Sequence, residues 1–564
     1  MPCSVPLDRA LVSIAALLFG GSAVASAQTV ERVSVSSWGS QPLVRHVYVN
    51  RPDQSISADG RWIAFCSMSA ELVPGVGGHF SIFLHDRWTH ETTLVSRRSD
   101  GSAISMPNLY PALTPDGRFL AFRSEDRVLH GTSNTNAQIY VKDLHSGVVR
   151  LVSRTPAGLP GNLHAVGAPS ISDDGRFVAF ASFASDLVPG DTNGREDVFV
   201  HDLTMGIVSR VSLSPSGVEG NRASVQPWIA GDGSAILYFG GATNFYPNTP
   251  INTALVMWRD LRTGQTLCVN QDASGQIIGG GYGPSAISAD GRLVCFNSNV
   301  GGLVPGDTNL RWDVFVRDVT TWQLERVSVD SNGNQGNLDS YGGRLSRDGR
   351  FVVFKSEATN WFSGRPANVL YLHDRVTRTT RPVCEDAFGN PADHISAYGV
   401  ISGDGRVVAF DSFATNLVPD DTNRETDFFV RDVECPSIAG AYERGCTGSN
   451  GRIPLVYLAG CPSAGRDIAL GVKGTLPNAA TAVIFGAQRG SFPLDANGCT
   501  VLLDAFFLSS TLLLPTDAEG NAHLPLRIPA LPGLRGDFAL QALVFDAGTA
   551  SGLATTRGIE VRMR

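Results

Sequence analysis

The stretch Ile171-Ser172-Asp173-Asp174-Gly175-Arg176-Phe177-Val178-Ala179-Phe180 decides the fold, because close variants of it recur along the chain. An Asp-Gly pair provides the positive φ angle that a tight hairpin turn needs, and the apolar run after it is typical of a strand. Successive pairs are 57, 58, 58, 58, 58 and 56 residues apart, which indicates an internal repeat of seven units. The pairs begin at Asp59, Asp116, Asp174, Asp232, Asp290, Asp348 and Asp404.

Each repeat contains four strand-like runs, which we name A to D. In the third repeat they are predicted at 169–172, 177–180, 198–201 and 209–213. A unit of four short strands is the blade of a β-propeller, and a sandwich would not repeat itself seven times at this length. The sequence therefore predicts an all-β chain with a seven-bladed β-propeller over residues 28–434.

The two ends of this region are complementary. The seventh repeat stops after strand C at 428–431 and lacks strand D. The run Val30-Glu31-Arg32-Val33-Ser34-Val35 near the N-terminus reads like Leu324-Glu325-Arg326-Val327-Ser328-Val329, which is strand D of the fifth repeat. We therefore predict that the N-terminal strand pairs with strand C of the last blade, closing the ring and removing free sheet edges.

Residues 1–27 have the pattern of a signal peptide. Arg9 precedes an apolar stretch from Ala10 to Phe19, and Ala25-Ser26-Ala27 is a small-x-small cleavage motif. The mature protein is expected to be exported, either periplasmic or secreted, and no other segment is long and apolar enough for a transmembrane span. A net charge of −8 argues against a nucleic-acid partner.

Residues 435–564 are predicted to form a second domain. About seven short apolar runs separated by Pro and Gly suggest a small β-sandwich. In an exported module, Cys435, Cys446, Cys461 and Cys499 suggest two disulfides, with three connectivities open. Cys66, Cys268, Cys295 and Cys384 lie within the repeats and are interpreted as unpaired thiols.

The repeats resemble those of TolB-like propellers, a WD-repeat-like family of bacterial envelopes. The resemblance rests on the Ser-x-Asp-Gly-Arg turn, the apolar strand ending in Phe, and strands such as Val198-Phe199-Val200-His201-Asp202. It implies the propeller fold over about residues 30–433. TolB itself carries its extra domain before the propeller, so its role in envelope complexes is not carried over. The C-terminal domain resembles modules of exported bacterial proteins, which implies architecture only.

Three repeats contain a loop that could hold a hard cation. Its pattern, Asp-Thr-Asn-x-x-x-Asp, places oxygen side chains at positions 1, 3 and 7, as Ca²⁺ prefers. Each loop has only three obvious donors, however, and the other four repeats lack the motif. We keep Ca²⁺ as a possible cofactor and Asx turns as the alternative reading. The residues are Asp191, Asn193, Asp197, Asp307, Asn309, Asp313, Asp421, Asn423 and Asp427.

A basic residue followed by Asp ends strand C in every repeat. The basic residue varies between His, Lys and Arg, so we interpret it as a solvent-facing cation rather than as a metal ligand. The Asp is expected to accept backbone N–H bonds in the C–D turn. The basic residues are His85, Lys142, His201, Arg259, Arg317, His373 and Arg431.

The chain has no motif of a known catalytic site. It lacks a Gly-x-Ser-x-Gly elbow, a His-Glu-x-x-His pair and a phosphate loop, and no catalytic residue is assigned. The sequence therefore favours an exported, non-enzymatic binding or scaffold protein with a protein or glycan partner. The alternative is a propeller hydrolase or lyase acting on an extracellular polymer.

Aromatic residues recur just before the predicted strand A, near the mouth of the channel. Tyrosine and tryptophan offer a flat apolar face with a polar edge, which suits a sugar or peptide site. We predict that at least two of them are exposed there, and the alternative is that all pack between blades. The candidates are Tyr110, Trp228, Tyr282, Tyr341 and Tyr398.

Overall fold

The structure is a computed structural model. Up to Val433 it describes residues 30–433 apart from 38, 40, 43–46, 49–54, 77, 247, 248, 250–253, 273, 279, 280, 363–367, 387, 388, 419 and 420. Beyond Val433 it describes 438–442, 449–450, 454–459, 467–473, 475–486, 489–493, 500–503, 508–517, 520–527, 536–547, 549, 553–556 and 558–563.

Within the described residues, 30–432 form seven four-stranded antiparallel sheets, numbered here in chain order. Sheets 1 to 3 comprise β2 Val47–Tyr48, β3 Trp62–Ser67, β4 Ser81–Asp86 and β5 Glu91–Leu94; β6 Asn108–Leu113, β7 Phe119–Ser124, β8 Gln138–Asp143 and β9 Val149–Leu151; β10 Ala165–Ile171, β11 Phe177–Ser182, β12 Asp197–Asp202 and β13 Ile207–Arg210. Sheets 4 and 5 comprise β14 Ser224–Ile229, β15 Ala235–Gly240, β16 Leu255–Asp260 and β17 Thr266–Cys268; β18 Gly281–Ile287, β19 Leu293–Ser298, β20 Asp313–Asp318 and β21 Leu324–Arg326. Sheets 6 and 7 comprise β22 Ser340–Leu345, β23 Phe351–Ser356, β24 Val369–Asp374 and β25 Thr379–Pro382; β26 Ser396–Ile401, β27 Val407–Ser412, β28 Asp427–Asp432 and β1 Val30–Arg32.

The middle strands of each sheet are buried on both faces, which explains their continuous apolar runs. In sheet 3, Phe180 and Phe199 are directly opposite each other on neighbouring strands, with ring centroids 5.7 Å apart. Equivalent stacked aromatic pairs occur in sheets 1, 2, 5, 6 and 7. A one-residue slip would move these rings to the opposite face, so the pairs help to fix the register.

Neighbouring sheets pack face to face through shared apolar clusters. Each consecutive pair from sheets 1 and 2 to sheets 6 and 7 shares such a cluster. Sheet 7 shares another with sheet 1, in which the rings of Phe65 and Phe428 lie 6.5 Å apart. The residues form an all-β domain with the sheet arrangement of a β-propeller.

The N-terminal strand pairs as the sequence predicts. β1 is antiparallel to β28, with Val30 opposite Arg431 and Arg32 opposite Phe429. The backbone N–H of Val33 donates to the Phe428 carbonyl at 2.8 Å, and Ser34 Oγ donates to Asp427 Oδ1 at 2.5 Å. Strand D of sheet 7 is therefore supplied by β1.

The repeated Asp-Gly pair forms the A–B turn. In sheet 3, Asp174 Oδ1 accepts hydrogen bonds from Ser172 Oγ at 2.6 Å and from the Arg176 backbone N–H at 2.9 Å. Gly175 has φ +70°, and a Cβ there would lie 2.3 Å from Phe119 Cδ2 of sheet 2. Glycine is thus required both by the turn and by the close approach of the preceding sheet.

The basic residues that end strand C are not solvent-facing, so that interpretation is wrong. Six of the seven are buried, and Arg259 is partly buried. Lys142 Nζ donates to the Val95 and Arg97 carbonyls of the preceding sheet, both at 3.0 Å. Arg431 likewise donates to the Val383 carbonyl at 2.7 Å. In four repeats the basic residue donates to a carbonyl just after strand D of the preceding sheet, and these residues are Lys142, His201, Arg317 and Arg431. In the other three it contacts a threonine hydroxyl of its own sheet. The shared feature is a buried group that hydrogen-bonds strand D or the residues just after it.

The Asp after the basic residue accepts backbone N–H bonds in the C–D turn of sheets 1 to 6, as expected. Asp202 Oδ1 accepts the backbone N–H groups of Thr204 at 2.9 Å and Met205 at 3.0 Å in the C–D turn. Its carboxylate also pairs with Arg176 from the A–B turn, Nη2 to Oδ2 at 2.7 Å. One aspartate therefore connects both turns at the same end of the sheet.

The region after Val433 is also all-β in its described residues. A six-stranded sheet has the order β29-β39-β37-β32-β35, with β38 on β37, beside a three-stranded sheet β30-β31-β36 and a pair β33-β34. Leu470 and Val472 of the three-stranded sheet share an apolar core with Val483 and Leu540 of the larger one. The strands are β29 Ile438–Tyr442, β30 Leu455–Ala459, β31 Asp467–Lys473, β32 Ala480–Gly486, β33 Arg489–Pro493, β34 Thr500–Leu503, β35 Leu508–Pro515, β36 Ala522–Arg527, β37 Gly536–Phe545, β38 Leu553–Thr555 and β39 Gly558–Met563.

The predicted disulfides cannot be compared with this fold, because Cys435, Cys446, Cys461 and Cys499 lie outside the described residues. Cys66, Cys268, Cys295 and Cys384 are unpaired and buried, as interpreted from the sequence. Burial raises the thiol pKa of Cys66 to about 12, which makes it unreactive. In the part of the chain that the structure describes, the only helix is a short 3-10 turn, Arg127–Leu129, and none could span a membrane.

Candidate functional site

The first strands of the sheets surround a central channel with two different ends. A cavity of about 90 Å³ is lined by residues at the ends of strand A, including Leu113, Ile229, Leu345 and Ile401. The Ser-x-Asp-Gly turns lie at this end, which we call the turn face. The starts of strand A and the B–C loops lie at the opposite end, which we call the channel mouth.

An ion pair crosses the channel at the turn face. Arg347 of sheet 6 donates to the carboxylate of Asp173 in sheet 3. Both occupy the x position of Ser-x-Asp-Gly, where the other repeats have Ala58, Pro115, Gly231, Ala289 and Gly403. A Cβ on Gly231 would lie 2.4 Å from Asp173 Oδ2 and 2.6 Å from Arg347 Nη2. The ion pair therefore joins sheets 3 and 6 across the turn end, and the residue at the x position of sheet 4 must be small beside it.

Strand A carries a β-bulge near the mouth in six of the sheets. Pairing with strand B shifts between Leu109 and Ala112 in sheet 2, and between Tyr341 and Arg344 in sheet 6. Tyr110 in the first bulge has φ +59°, and Gly342 in the second has φ +73°. Bulges turn the chain and re-aim side chains, and here they lie at the channel wall. The predicted aromatics therefore belong to strand A itself, not to the loop before it.

Tyr341 and Tyr398 belong to one polar group at the channel mouth, together with Lys355, Glu357 and Asp411. We call it the mouth cluster. Tyr341 Oη donates to Glu357 Oε1 at 2.9 Å, and Lys355 Nζ lies 5.4 Å from the centre of the Tyr341 ring. Asp411 Oδ1 accepts the Tyr398 backbone N–H at 2.5 Å. The Tyr398 side chain is 48% exposed, which leaves its ring available to a ligand.

Burial shifts the pKa values of this cluster. It raises the pKa of Asp411 to about 6, although the Tyr398 N–H and Lys355 partly oppose the shift. It lowers the pKa of Lys355, which Glu357 and Asp411 partly offset. It also raises the pKa of Tyr341, helped by Glu357, so the phenol stays protonated. The cluster therefore holds a carboxyl that titrates near neutral pH beside a partly desolvated amine.

The other predicted aromatics differ in exposure. Trp228 is buried and lines the cavity, with the Arg344 guanidinium 5.0 Å from its ring centre. Tyr110 is partly buried, like Tyr341. The side chain of Tyr282 lies outside the described residues, although its backbone is in β18.

Lys355, Glu357 and Asp411 were not predicted from the sequence. Lys355 and Asp411 stand seven residues after the Asp of their Asp-Gly pairs, on strand B. The equivalent residues in the other repeats are Cys66, Arg123, Ala181, Phe239 and Asn297. This position varies more than the rest of strand B, and that variation is the signal that could have found the cluster.

The Asp-Thr-Asn loops of sheets 3, 5 and 7 each enclose an arginine from strand D. Arg210 Nη1 lies 3.2 Å from Asp191 Oδ1, 3.5 Å from Asp197 Oδ2 and 2.9 Å from Glu219 Oε2. Asn193 Oδ1 accepts the Arg195 backbone N–H at 2.8 Å, which is an Asx turn.

The same arrangement recurs in the other two loops. Arg326 lies 3.3 Å from Asp307, and Arg32 lies 3.3 Å from Asp421. Strand D of the remaining repeats has Leu94, Leu151, Cys268 or Pro382 at this position. The guanidinium neutralises the carboxylates that Ca²⁺ was predicted to bind. Ca²⁺ at these loops stays a prediction.

No protein-family model matches this chain, and no curated protein does. Solved structures are similar only at low identity. Oligogalacturonate lyase from Vibrio parahaemolyticus is 12% identical, with a TM-score of 0.46, covering 72% of this chain and 93% of the lyase. The β-propeller domain of the Trilobed protease from Pyrococcus furiosus is 13% identical, with a TM-score of 0.38, covering 65% and 88%. A structure described as TolB from Agrobacterium tumefaciens is 17% identical, with a TM-score of 0.33, covering 61% and 94%. At these similarities no activity or ligand is carried over to this chain.

Proposed function

We propose that this chain is an exported, non-enzymatic binding protein that presents the channel mouth of its β-sheets to a glycan. In this proposal the seven sheets are the blades of one ring closed by β1, and residues 435–564 are a β-sandwich module. The shared apolar cluster of sheets 7 and 1 supports the ring, and the shared core of the C-terminal sheets supports the sandwich. Export rests on the signal-peptide pattern of residues 1–27.

The observation that carries the ligand site is the mouth cluster. Tyr398 exposes an aromatic face, while Tyr341, Lys355, Glu357 and Asp411 place donors and acceptors around it. A sugar has apolar C–H faces and hydroxyl edges, so it matches an exposed ring bordered by polar groups.

The test is binding of purified mature protein to a glycan array, followed by calorimetry with each ligand found. Tyr398→Ala should weaken binding at least about fivefold, because truncating an aromatic anchor typically costs more than 1 kcal/mol. The matched control is Met205→Ala, which removes a side chain that is 64% exposed in the C–D turn, on the turn face. Glycan binding unchanged by Tyr398→Ala would contradict the site, and binding of proteins alone would replace the glycan with a protein partner.

One observation favours the enzymatic alternative, a lyase or hydrolase of an extracellular polymer. Asp411 is a buried carboxyl whose pKa is raised to about 6, and its neighbour Lys355 has a lowered pKa, as an acid–base pair would need. Asp411→Asn separates the two functions. If the protein is an enzyme, this variant should no longer cleave the polymer but should still bind it.

A further inference from the structure

Three side chains of metal-binding type converge where β1 meets sheet 1, away from the channel. Glu31 lies on β1, His85 near the end of β4, and His90 in the turn that follows. Glu31 Oε1 lies 3.6 Å from His85 Nε2 and 3.4 Å from His90 Nδ1. One ligand atom from each residue lies within 4.8 Å of the others. Ligands at about 2.0–2.1 Å from a tetrahedral metal are about 3.3–3.4 Å apart, so two of these distances already fit.

The hydrogen bonds of His85 leave Nε2 without a proton in the neutral ring. Thr92 Oγ1 donates its only proton to the Val35 carbonyl at 2.5 Å, because a carbonyl cannot donate. Thr92 Oγ1 must therefore accept from His85 Nδ1, which lies 2.9 Å away. The lone pair of Nε2 then points toward Glu31. A second partner that fixes the tautomer in this way is typical of metal-bound histidine.

A neutral His85 beside Glu31 leaves two acceptors facing each other. His85 is fully buried, and neither its Nε2 nor Glu31 Oε1 has a hydrogen-bond partner among the described residues. The other carboxylate oxygen, Oε2, already accepts from Arg87 Nε at 3.1 Å. A proton or a cation between His85 Nε2 and Glu31 Oε1 would satisfy both atoms.

The charged groups around Glu31 and His90 also affect how strongly a cation would bind. Burial alone would raise the pKa of Glu31, but Arg87, His90 and His85 outweigh it and lower the value to about 2. Burial lowers the pKa of His90 to about 4, so its imidazole is neutral. Arg87 and Lys473 lie near the same groups and weaken the attraction for a cation. One carboxylate and two imidazoles nevertheless form a ligand set of the kind zinc takes.

A second group of side chains in the fold closely resembles this one but lacks one of the three proposed metal ligands. At the contact of sheets 5 and 6, Glu325, His373 and Thr380 correspond to Glu31, His85 and Thr92, and His373 Nδ1 bonds Thr380 Oγ1 at 2.8 Å. The residue corresponding to His90 is Arg378, and both have left-handed backbones, at φ +57° and +51°. The two groups therefore differ at the third ligand, which is His90 in one and Arg378 in the other.

We propose that Glu31 Oε1, His85 Nε2 and His90 Nδ1 bind one divalent zinc-class ion, with solvent in the remaining position. The ion would join the strand that completes sheet 7 to the first sheet of the chain. The site is independent of the mouth cluster and of the Asp-Thr-Asn loops, whose all-oxygen donors suit a harder cation.

The experiment is a Zn²⁺ titration of untagged, chelator-treated full mature protein, followed by calorimetry and thermal unfolding. His90→Arg is the main variant, because Arg378 shows that the backbone accepts arginine there. The wild type should bind one more zinc ion than His90→Arg, and Zn²⁺ should raise its Tm more than that of the variant. Comparing the two cancels zinc bound elsewhere, including at the four C-terminal cysteines.

Two further variants control for folding. His85→Gln and His373→Gln remove equivalent buried imidazoles, but only His85→Gln should abolish the added zinc ion. With Co²⁺, the wild type should show the visible absorption of a tetrahedral ion bound by nitrogen and oxygen. His90→Arg should not show this absorption. Equal zinc stoichiometry and equal Tm shifts in the wild type and His90→Arg would overturn the proposal.

Discussion

At the scale of single residues, the repeat preserves positions where two requirements coincide. Gly175 adopts a positive φ and also lies against Phe119 of the preceding sheet. The corresponding Gly233 and Gly405 lie against Phe177 and Phe351 in the same way. The glycine of the A–B turn thus belongs to the contact between sheets as much as to the turn.

Gly175→Ala should therefore destabilise the protein more than an ordinary turn glycine substitution. Its left-handed backbone costs about 1 kcal/mol, and the contact with Phe119 adds about 1–3 kcal/mol. Gly217→Ala is the matched control, because Gly217 has φ +81° but a Cβ there meets nothing within 4 Å. Denaturant unfolding measures both. Equal losses of the free energy of unfolding would mean that the sheet contact contributes nothing.

At the scale of the element, the B–C loop and strand D act together. The Asp-Thr-Asn loop occurs in the three sheets that have arginine at the strand D position opposite the phenylalanine of strand C. In sheet 3 the side chains of Arg210, Asp191 and Asp197 are 11%, 3% and 0% exposed. Burial and, to a lesser extent, the charge of Asp197 raise the pKa of Asp191 to about 6, although Arg210 opposes the shift. The arginine offsets the cost of two buried carboxylates.

Arg210→Met should cost about 3 kcal/mol of unfolding free energy at pH 7, because it leaves buried charges uncompensated. A carboxyl whose pKa is raised on folding destabilises the fold as the pH rises from about 4 to 6. The difference between Arg210→Met and the wild type should therefore be smaller at pH 5 than at pH 7.

The control for this experiment is Arg195→Met, an exposed residue of the same loop, which should change stability by less than about 0.5 kcal/mol. A pH-independent loss in Arg210→Met would contradict the electrostatic explanation. Adding Ca²⁺ to the wild type in the same assay tests the predicted cation site, since a bound ion would raise the Tm.

At the scale of the whole molecule, one strand from the N-terminus completes the last sheet. Val33 is fully buried in the cluster that joins sheets 7 and 1, and Arg32 lies 3.4 Å from Asp427. Without this strand, β28 would be an unpaired edge with a buried carboxylate that has lost its partner.

Deleting residues 28–36 should lower the Tm by more than 10 °C and cause association through the exposed edge. Calorimetry and size-exclusion chromatography measure the two effects. Val33→Ala is the graded control, expected to cost about 1–3 kcal/mol without association. A deletion variant that stays monomeric with an unchanged Tm would show that β1 is dispensable.

The sequence by itself determined the repeat, the four strands of each unit, the A–B turn and the pairing of β1 with β28. These features depend on local patterns, such as Asp-Gly turns and apolar runs, that recur at a constant spacing. The sequence also identified Tyr341 and Tyr398 as candidate residues of a ligand site. It placed the basic residues of strand C in solvent, because their burial between sheets depends on carbonyls about 45–50 residues away.

Only the tertiary structure decided which side chains meet. Lys355 and Asp411 join the tyrosines because strand B of sheet 6 packs against strand A of sheet 7. Arg347 meets Asp173 from 174 residues away. Glu31 meets His85 and His90 because β1 pairs with the last sheet while facing the first. Such contacts depend on the packing of whole sheets, which the residues of a single repeat do not reveal.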